Sequence, residues 1–426
     1  MSTLFAIENA FSYVKPGHPL RSLVERAGDL LQAEPCAEAI RRIAGDGQAV
    51  TTRTSLKWES GELRWFYFLL QSQAKGKPLA DRALTIFYRP KKNRLELRPF
   101  PQDPYLPAMS AYFEQLIGGD HGGLTAHDFT MLRYIPQRRL TCRIRDSGET
   151  GRFRIGKFVH RSEIGSAYDK LGLVSAAVEQ QRPSFTVSTP LDKDDSQGVF
   201  YQACLAGHNL ADLIQDDNFE DVLFAVGSIH HEIHRLCVPD VPHWRFDSIW
   251  TDLKKRVAVI SYLCPELEPL LGDAHAVLFE HLPASDPRAW TFCHGDFGCN
   301  QILKDGDQWS IVDFDGCLYG DRYREIASLL AFLKHNVPFF FEAYHDPALD
   351  AETILDRAYA AYLRGYQQHS NKAMDWKRLS WYQLASEVQY LARTLQRDLY
   401  YPVAFERTVR RIEALTARLK DGSGGH

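Results

Sequence analysis

The chain has 426 residues, is 45% apolar and 24% charged, and carries a formal net charge of −4. That balance buries a sizeable core and excludes a chain dominated by disorder. It offers no global field toward nucleic acid or anionic lipid, and no apolar run is long enough for a membrane span.

Residues 1–125 read as an α+β unit of their own. Leu20–Leu31 and Ala37–Ile43 have helical spacing of apolar residues. Ser55–Trp58 and Leu63–Leu70 flank the turn Glu59–Glu62, and Ala83–Tyr88 and Leu95–Phe100 flank Arg89–Asn93, so two β-hairpins are expected. No catalytic constellation stands out there, and a packing or cap role is the simple expectation. Gly118–Gly123, with four glycines, is the best linker in the chain. Phe129–Arg145 and Gly151–His160 then read as antiparallel strands, with a turn at Tyr134–Arg139. Lys157 lies inside the apolar strand Ile155–Val159, and an ammonium there must face solvent, an anion or a carboxylate. Ser162 is an N-cap candidate for the helix that follows. Gly198–Gly207 reads as a further strand, and Leu210–Ile214 starts a helical region. His230 and His234 share a helix face, but the spacing is not that of a His-Glu-x-x-His metal site, because position 235 is Arg.

The densest chemistry lies in Thr291–Ala327. The segment reads strand, acidic loop, strand, turn, strand, acidic turn, helix. His294-Gly295-Asp296 occupies the loop, Asp305-Gly306-Asp307 has hairpin chemistry, and the strand Trp309–Val312 delivers Asp313-Phe314-Asp315-Gly316. Two carboxylates, Asp296 and Asp313, thus ride on the ends of neighbouring short strands. Phosphoryl transfer needs one carboxylate to orient and deprotonate an acceptor hydroxyl, and another, with a carbonyl-type oxygen, to hold Mg²⁺ over the phosphates.

His-Gly-Asp, an amide residue near the fifth position after the Asp, an apolar strand and Asp-Phe-x-Asp resemble the kinase-like phosphotransferases of the aminoglycoside/choline kinase family. The resemblance spans roughly residues 129–400 and is sharpest at 294–315. It implies a bilobal protein-kinase-like α+β fold, with an antiparallel N-lobe sheet at 126–207 and a helical C-lobe at 208–420. The 1–125 unit is then an addition, and 421–426 a tail. It implies Asp296 as catalytic base, Asp313 as main magnesium ligand, and Lys157 on the phosphates. The acid that pairs with Lys157 would come from the following helix, where Glu163 and Asp169 both qualify. Backbone near Gln202–Cys204 would meet the adenine. The family's Asn is replaced by Gln301, with Asn300 beside it. Gln301 keeps the carboxamide oxygen and is favoured by register. The turn over the phosphates is not glycine-rich here, though Arg138 or Arg139 can supply charge. His234 and His294 fit structural roles, and Asp321 and Glu325 are expected to tie the loop to the lobe by caps and ion pairs.

Only seven residues separate Asp313 from Asp321, which leaves no room for an activation loop that docks protein substrates. Position 295 is Gly where protein kinases carry Arg. The expected activity is therefore Mg²⁺- and ATP-dependent (or GTP-dependent) phosphorylation of a small hydroxylated acceptor such as an aminoglycoside, amino alcohol, sugar or amino acid. Nucleic acid and membrane are not expected partners. Eight scattered cysteines without a CxxC pair, and no signal-peptide pattern, fit a reduced cytoplasmic protein. Two rival readings remain. One is a nucleotide-binding pseudokinase acting as a scaffold, motivated by Gln301. The other is a metal hydrolase built on His230, His234 and Asp296.

Overall fold

Alternation of apolar residues builds the first sheet, and burial on both faces explains why its central strands read as almost continuously apolar. The computed structural model describes residues 38–39, 50–59, 62–72, 82–118, 129–145, 152–214, 218–284, 286–341, 351–370, 373–397 and 402–421. The helix expected at Leu20–Leu31, most of that at Ala37–Ile43, the glycines after Gly118 and the 422–426 tail lie outside these residues. Strands β1 (Val50–Glu59), β2 (Glu62–Ser72), β3 (Ala83–Arg89) and β4 (Arg94–Pro99) form an antiparallel sheet in sequence order. In β3, Leu84, Ile86 and Tyr88 enter the large core shared with the helical lobe. Ala83 and Phe87 point the other way, into a second core. Helix α1 (Pro107–Gly118) closes the unit.

That second core is shared with the next sheet. Strands β5 (Phe129–Ile135), β6 (Arg139–Arg145) and β7 (Phe153–Val159) follow, then α2 (Arg161–Gln181), β8 (Phe185–Val187), β9 (Pro190–Asp194) and β10 (Val199–Ala203). The five-stranded sheet runs β5-β6-β7-β10-β9. Phe100, Leu106, Met109 and Phe113 from the N-terminal unit pack with Phe129, Tyr134, Leu140, Phe158 and Tyr201 of this sheet. At about 25 cal/mol per Å² of buried apolar surface, such a cluster of rings holds the two sheets together firmly. Helix α2 seats Ile164, Ala167 and Leu171 against Val159 and Phe200. Its N-cap is His160, whose Nδ1 accepts the Ser162 N–H at 3.4 Å, so the helix starts one residue before the Ser162 cap expected from sequence.

The chain crosses to the second lobe through β11 (His208–Asn209) and α3 (Leu210–Leu213), which Asn209 caps. Helices α4 (Phe219–Arg235), α5 (Phe246–Leu263) and α6 (Glu268–Glu280) lead to β12 (Thr291–Cys293), β13 (Ile302–Asp305), β14 (Gln308–Ile311) and β15 (Leu318–Gly320). Helices α7 (Arg322–Phe341), α8 (Ala351–Gln367), α9 (Trp376–Arg397) and α10 (Pro402–Lys420) complete the lobe. Its aromatics are mainly core: Tyr362, Tyr366, Trp381 and Tyr382 are all buried. Helices α4 and α8 approach unusually closely. A Cβ on Gly227 would meet the Tyr362 carbonyl, and one on Gly365 the Phe224 carbonyl. This contact brings two tyrosines of α8 under the histidines of α4. No helix among the described residues is long and apolar enough to cross a membrane.

Candidate active site

Two small sheets carry the acidic segment. Strands β13 and β14 form a hairpin through Gly306-Asp307, and β14 also pairs in parallel with β8 from the first lobe. Strand β12 pairs instead with β15, so the two acidic loops hang from different sheets rather than from one meander. They are stitched together across the gap. His294 Nε2–H donates to the Val312 carbonyl at 2.9 Å, and its Nδ1 accepts the Asp296 N–H at 3.4 Å. Gly295 has a φ of 92°, and any Cβ there would strike the Gly316 carbonyl, so only glycine lets the loops touch.

Beneath the loop lies Glu325, 3% exposed. Its Oε1 accepts the Gly295 N–H at 2.5 Å, and its Oε2 accepts the His294 N–H at 3.0 Å. The same Oε2 takes Nε2–H from His230 and from His234, each at 3.1 Å. The opposite ring nitrogens accept the Tyr362 and Tyr366 hydroxyls at 2.6 and 2.7 Å, which fixes the tautomers. This trio has the spacing of a metal site, yet each ring nitrogen is already used and the carboxylate already holds two backbone donors. The cluster is a hydrogen-bond hub for the His294–Asp296 loop, and it does not call for a zinc ion. Asp321 plays the part expected of it. It caps α7 through the Tyr323 N–H at 3.1 Å and pairs with Arg378 Nε at 2.6 Å.

The hub has a pH signature. Burial, and then the neighbouring His234, push His230 down from its ordinary 6.5 to about 3. Burial works to raise Glu325, but hydrogen bonds from the two histidines prevail and hold it well below the usual carboxylate range. Both groups therefore bind fewer protons folded than unfolded, so stability rises with pH through this range. Acidification should erode it from about pH 6.5 down toward 3, where His230 itself takes a proton. Urea midpoints recorded across that range check this. In a Glu325→Gln variant, which keeps the shape but not the charge, the Glu325 share of the slope should vanish.

Asp313 sits at the end of β14 with φ 73°, a strained left-handed conformation for a non-glycine residue. Lys157, 5% exposed on β7, donates to Asp313 Oδ1 and Asp315 Oδ1, both at 2.8 Å. Arg139, at the start of β6, reaches the other oxygens of the same pair at 3.4 and 3.5 Å. Lys170 of α2 donates to the Asp315 carbonyl at 3.0 Å. Burial alone would raise Asp313, but Lys157 and Arg139 hold it far below the usual range. Burial and the adjacent Asp313 push Asp315 up, while the two acids raise Lys157 against the pull of its own burial.

The acid partner expected from α2 is therefore corrected. Glu163 and Asp169 are both exposed, because α2 turns Ile164, Ala167 and Leu171 inward, and Lys157 pairs across the lobes instead. Arg139 proves to be the charged member of the Arg138–Arg139 pair that faces the site. Sequence reasoning gave no role to Asp315, although the second acid of Asp-Phe-Asp was its signal. Gln301 ends a 3-10 turn, Cys299–Gln301, rather than lying on an extended segment, and is 6% exposed, whereas Asn300 faces out. Its carbonyl accepts the Val312 N–H at 2.9 Å, which places it beside Asp313, and its amide side chain has no hydrogen bond among the described residues. The Asp296 side chain is exposed and likewise has no hydrogen bond among them. Tyr390 of α9 is close enough for Asp296 to help push its phenol up, after burial, and Arg393 lies 5.5 Å over its ring. Gln202 is buried in β10, opposite Ile155 and Pro190. Ala203 is also spoken for: its N–H donates to Thr189 and its carbonyl accepts from Ser188 Oγ at 2.6 Å. The half-buried Cys204 follows, and its N–H is unbonded among the described residues.

A five-stranded sheet carrying a lysine and a helical lobe carrying two acidic loops match the parts of a kinase-like small-molecule phosphotransferase. Residues 174–382 match the model of the phosphotransferase enzyme family. The matched span contains both acidic loops and Glu325 but begins after Arg139 and Lys157. Solved structures give weaker likenesses. Amicoumacin kinase hAmiN in complex with AMP-PNP, Ca²⁺ and Ami is 14% identical over 74% of this chain and 93% of that one, with a TM-score of 0.48. A thermostable mutant of aminoglycoside phosphotransferase APH(4)-Ia, bound to AMP-PNP and hygromycin B, is 15% identical over 74% and 99%, with a TM-score of 0.48. The aminoglycoside phosphotransferase APH(3'')-Id of Streptomyces rimosus is 18% identical over 66% and 97%, with a TM-score of 0.46. No curated protein sequence matches the chain.

Proposed function

We propose that the protein transfers the γ-phosphoryl group of ATP, with Mg²⁺, to a hydroxyl of a small molecule. The observation that carries this reading is the Lys157–Arg139–Asp313–Asp315 cluster, together with the exposed Asp296 carboxylate, which has no hydrogen bond among the described residues and rides on the loop that His294 ties to Val312. Two cations there neutralise two acids. A nucleotide recruits the cations to its phosphates, which frees the acids, and the freed acids suit a hard cation. Asp313, Asp315 and the Gln301 amide oxygen would supply an all-oxygen donor set of the kind Mg²⁺ takes. Such an ion would neutralise charge on the transferring group.

In this mechanism Lys157 and Arg139 steady the phosphates. Asp296 orients the acceptor hydroxyl and takes its proton. Backbone from Cys204 onward meets the base, which suits adenine and leaves guanine to be tested. Catalysis is then mainly positioning and fixed charge. The segment after Asp313 forms a short turn and then β15, paired to β12, so no docking platform for a protein substrate occupies it. The seven described cysteines are free thiols, as suits the reducing cytoplasm.

Thermal unfolding with Mg²⁺ and ATP or GTP tests the reading. A nucleotide at one hundred times its dissociation constant stabilises by about 2.7 kcal/mol. The wild type should show a Mg²⁺-dependent shift, and Asp313→Ala should lose it. No shift with either nucleotide would overturn the proposal.

A further inference from the structure

One carboxylate of the N-terminal unit is tied to the turn that aims Arg139. Asp103 lies between β4 and α1 and is 5% exposed. Its Oδ2 accepts the Tyr134 hydroxyl at 2.9 Å and the Gln137 N–H at 2.7 Å, and its Oδ1 accepts the Tyr105 N–H at 2.9 Å. Tyr134 lies near the end of β5. Gln137 holds the left-handed position of the turn, with φ 63°, and Arg139 opens β6 two residues later. Behind Tyr134 stand Phe100, 5.6 Å away edge-on, and Phe113, 5.3 Å from Phe100. At the far end of β5, Arg82 Nη1 donates to the Phe129 carbonyl at 3.0 Å.

The turn Pro136-Gln137-Arg138 has no glycine, and a glutamine in the left-handed region is strained unless its surroundings impose it. The Asp103 carboxylate supplies that constraint, since hydrogen bonds to a charged acceptor are the stronger kind. Arg139 cannot aim itself. Its contacts of 3.4 and 3.5 Å to the Asp313–Asp315 pair are long for charged hydrogen bonds, so its direction comes from the backbone that carries it. We propose that Asp103 is a positioning residue for nucleotide binding, which fixes the β5–β6 turn through Tyr134 and Gln137 and so holds Arg139 where the phosphates dock. This rests on the phosphotransferase reading of the site. It gives the N-terminal unit a part in the nucleotide site of the kinase-like lobe.

The test uses full-length protein and Mg-ATP as the probe, with dissociation constants from calorimetry and amide exchange over residues 133–139. Asp103→Ala should weaken Mg-ATP about tenfold, a loss near 1.4 kcal/mol, and should speed exchange in the turn. Asp103→Asn, whose amide oxygen still accepts from Tyr134 and Gln137 while its NH₂ replaces the acceptor of the Tyr105 N–H, should recover part of the affinity. In an Arg139→Ala background, Asp103→Ala should cost little more, because both changes remove one interaction. A merely structural Asp103 would instead give faster exchange with unchanged affinity, or fully additive losses, and either result overturns the proposal. A wild type that binds no Mg-ATP would overturn the phosphotransferase reading and this proposal together. A wild type that binds while Asp103→Ala binds equally well would overturn this proposal alone.

Discussion

Asp296→Asn should lower phosphoryl transfer by about 10²–10⁴-fold, the usual contribution of a positioned general base, while Mg-ATP affinity stays within about twofold of wild type. Both halves follow from where the carboxylate stands. It is exposed, it has no hydrogen bond among the described residues, and it takes no part in the ion cluster that would meet the phosphates. Removing its charge therefore leaves the nucleotide side alone. The Asn variant is the sharper choice because it keeps the volume and the backbone. The Asp296 N–H still donates to His294, so the loop should stay in place. The measurement is transfer from radiolabelled ATP to whichever acceptor the wild type uses from a panel of amino alcohols, sugars and aminoglycosides. Wild-type turnover by the variant would remove Asp296 from the base role.

Glu325→Ala should be among the most destabilising single changes in the helical lobe, by about 3–5 kcal/mol or to the point of yielding no soluble protein. Two mechanisms add. The substitution strands the buried Nε2–H of His230 and His234 and the backbone N–H of His294 and Gly295, and each lost partner of a buried donor costs about 1–3 kcal/mol. It also opens a void beside His230, on which the Phe297 ring stacks at 4.2 Å. Equilibrium urea unfolding gives the number. Glu325→Gln, which can accept but also brings an NH₂ facing donors, should fall between. A wild-type midpoint for Glu325→Ala would mean that the hub does not hold the His294–Asp296 loop.

The hub also shows what a local pattern can and cannot reveal. His230 and His234 on one helix face are legible from a spacing of four, and Glu325 from its place after Gly320-Asp321. That the three converge was not legible. Convergence depends on the close crossing of α4 and α8 at Gly227 and Gly365, and nothing in either helix alone specifies its partner. The same spacing that suggests a metal becomes, once two tyrosines arrive from α8, a set of satisfied hydrogen bonds.

The sequence by itself determined the α+β fold class, the likeness to the phosphotransferase enzyme family and the place of the acidic segment. All of these are written in short-range signals: a two-residue hairpin turn, acids at strand ends, a glycine where two loops must touch, and helical periodicity through residues 328–420. Only the tertiary structure decided what Lys157 pairs with. Its partners, Asp313 and Asp315, lie 156 and 158 residues away, beyond any helical or strand period. It also decided that Arg139 rather than Arg138 faces the acids, and that Asp103 reaches 34 residues forward to brace the turn beneath Arg139. Periodicity fixes which face of an element a side chain occupies. Which charge it meets there is set by how separate sheets stack on their shared aromatic core, and that packing is a property of the whole chain.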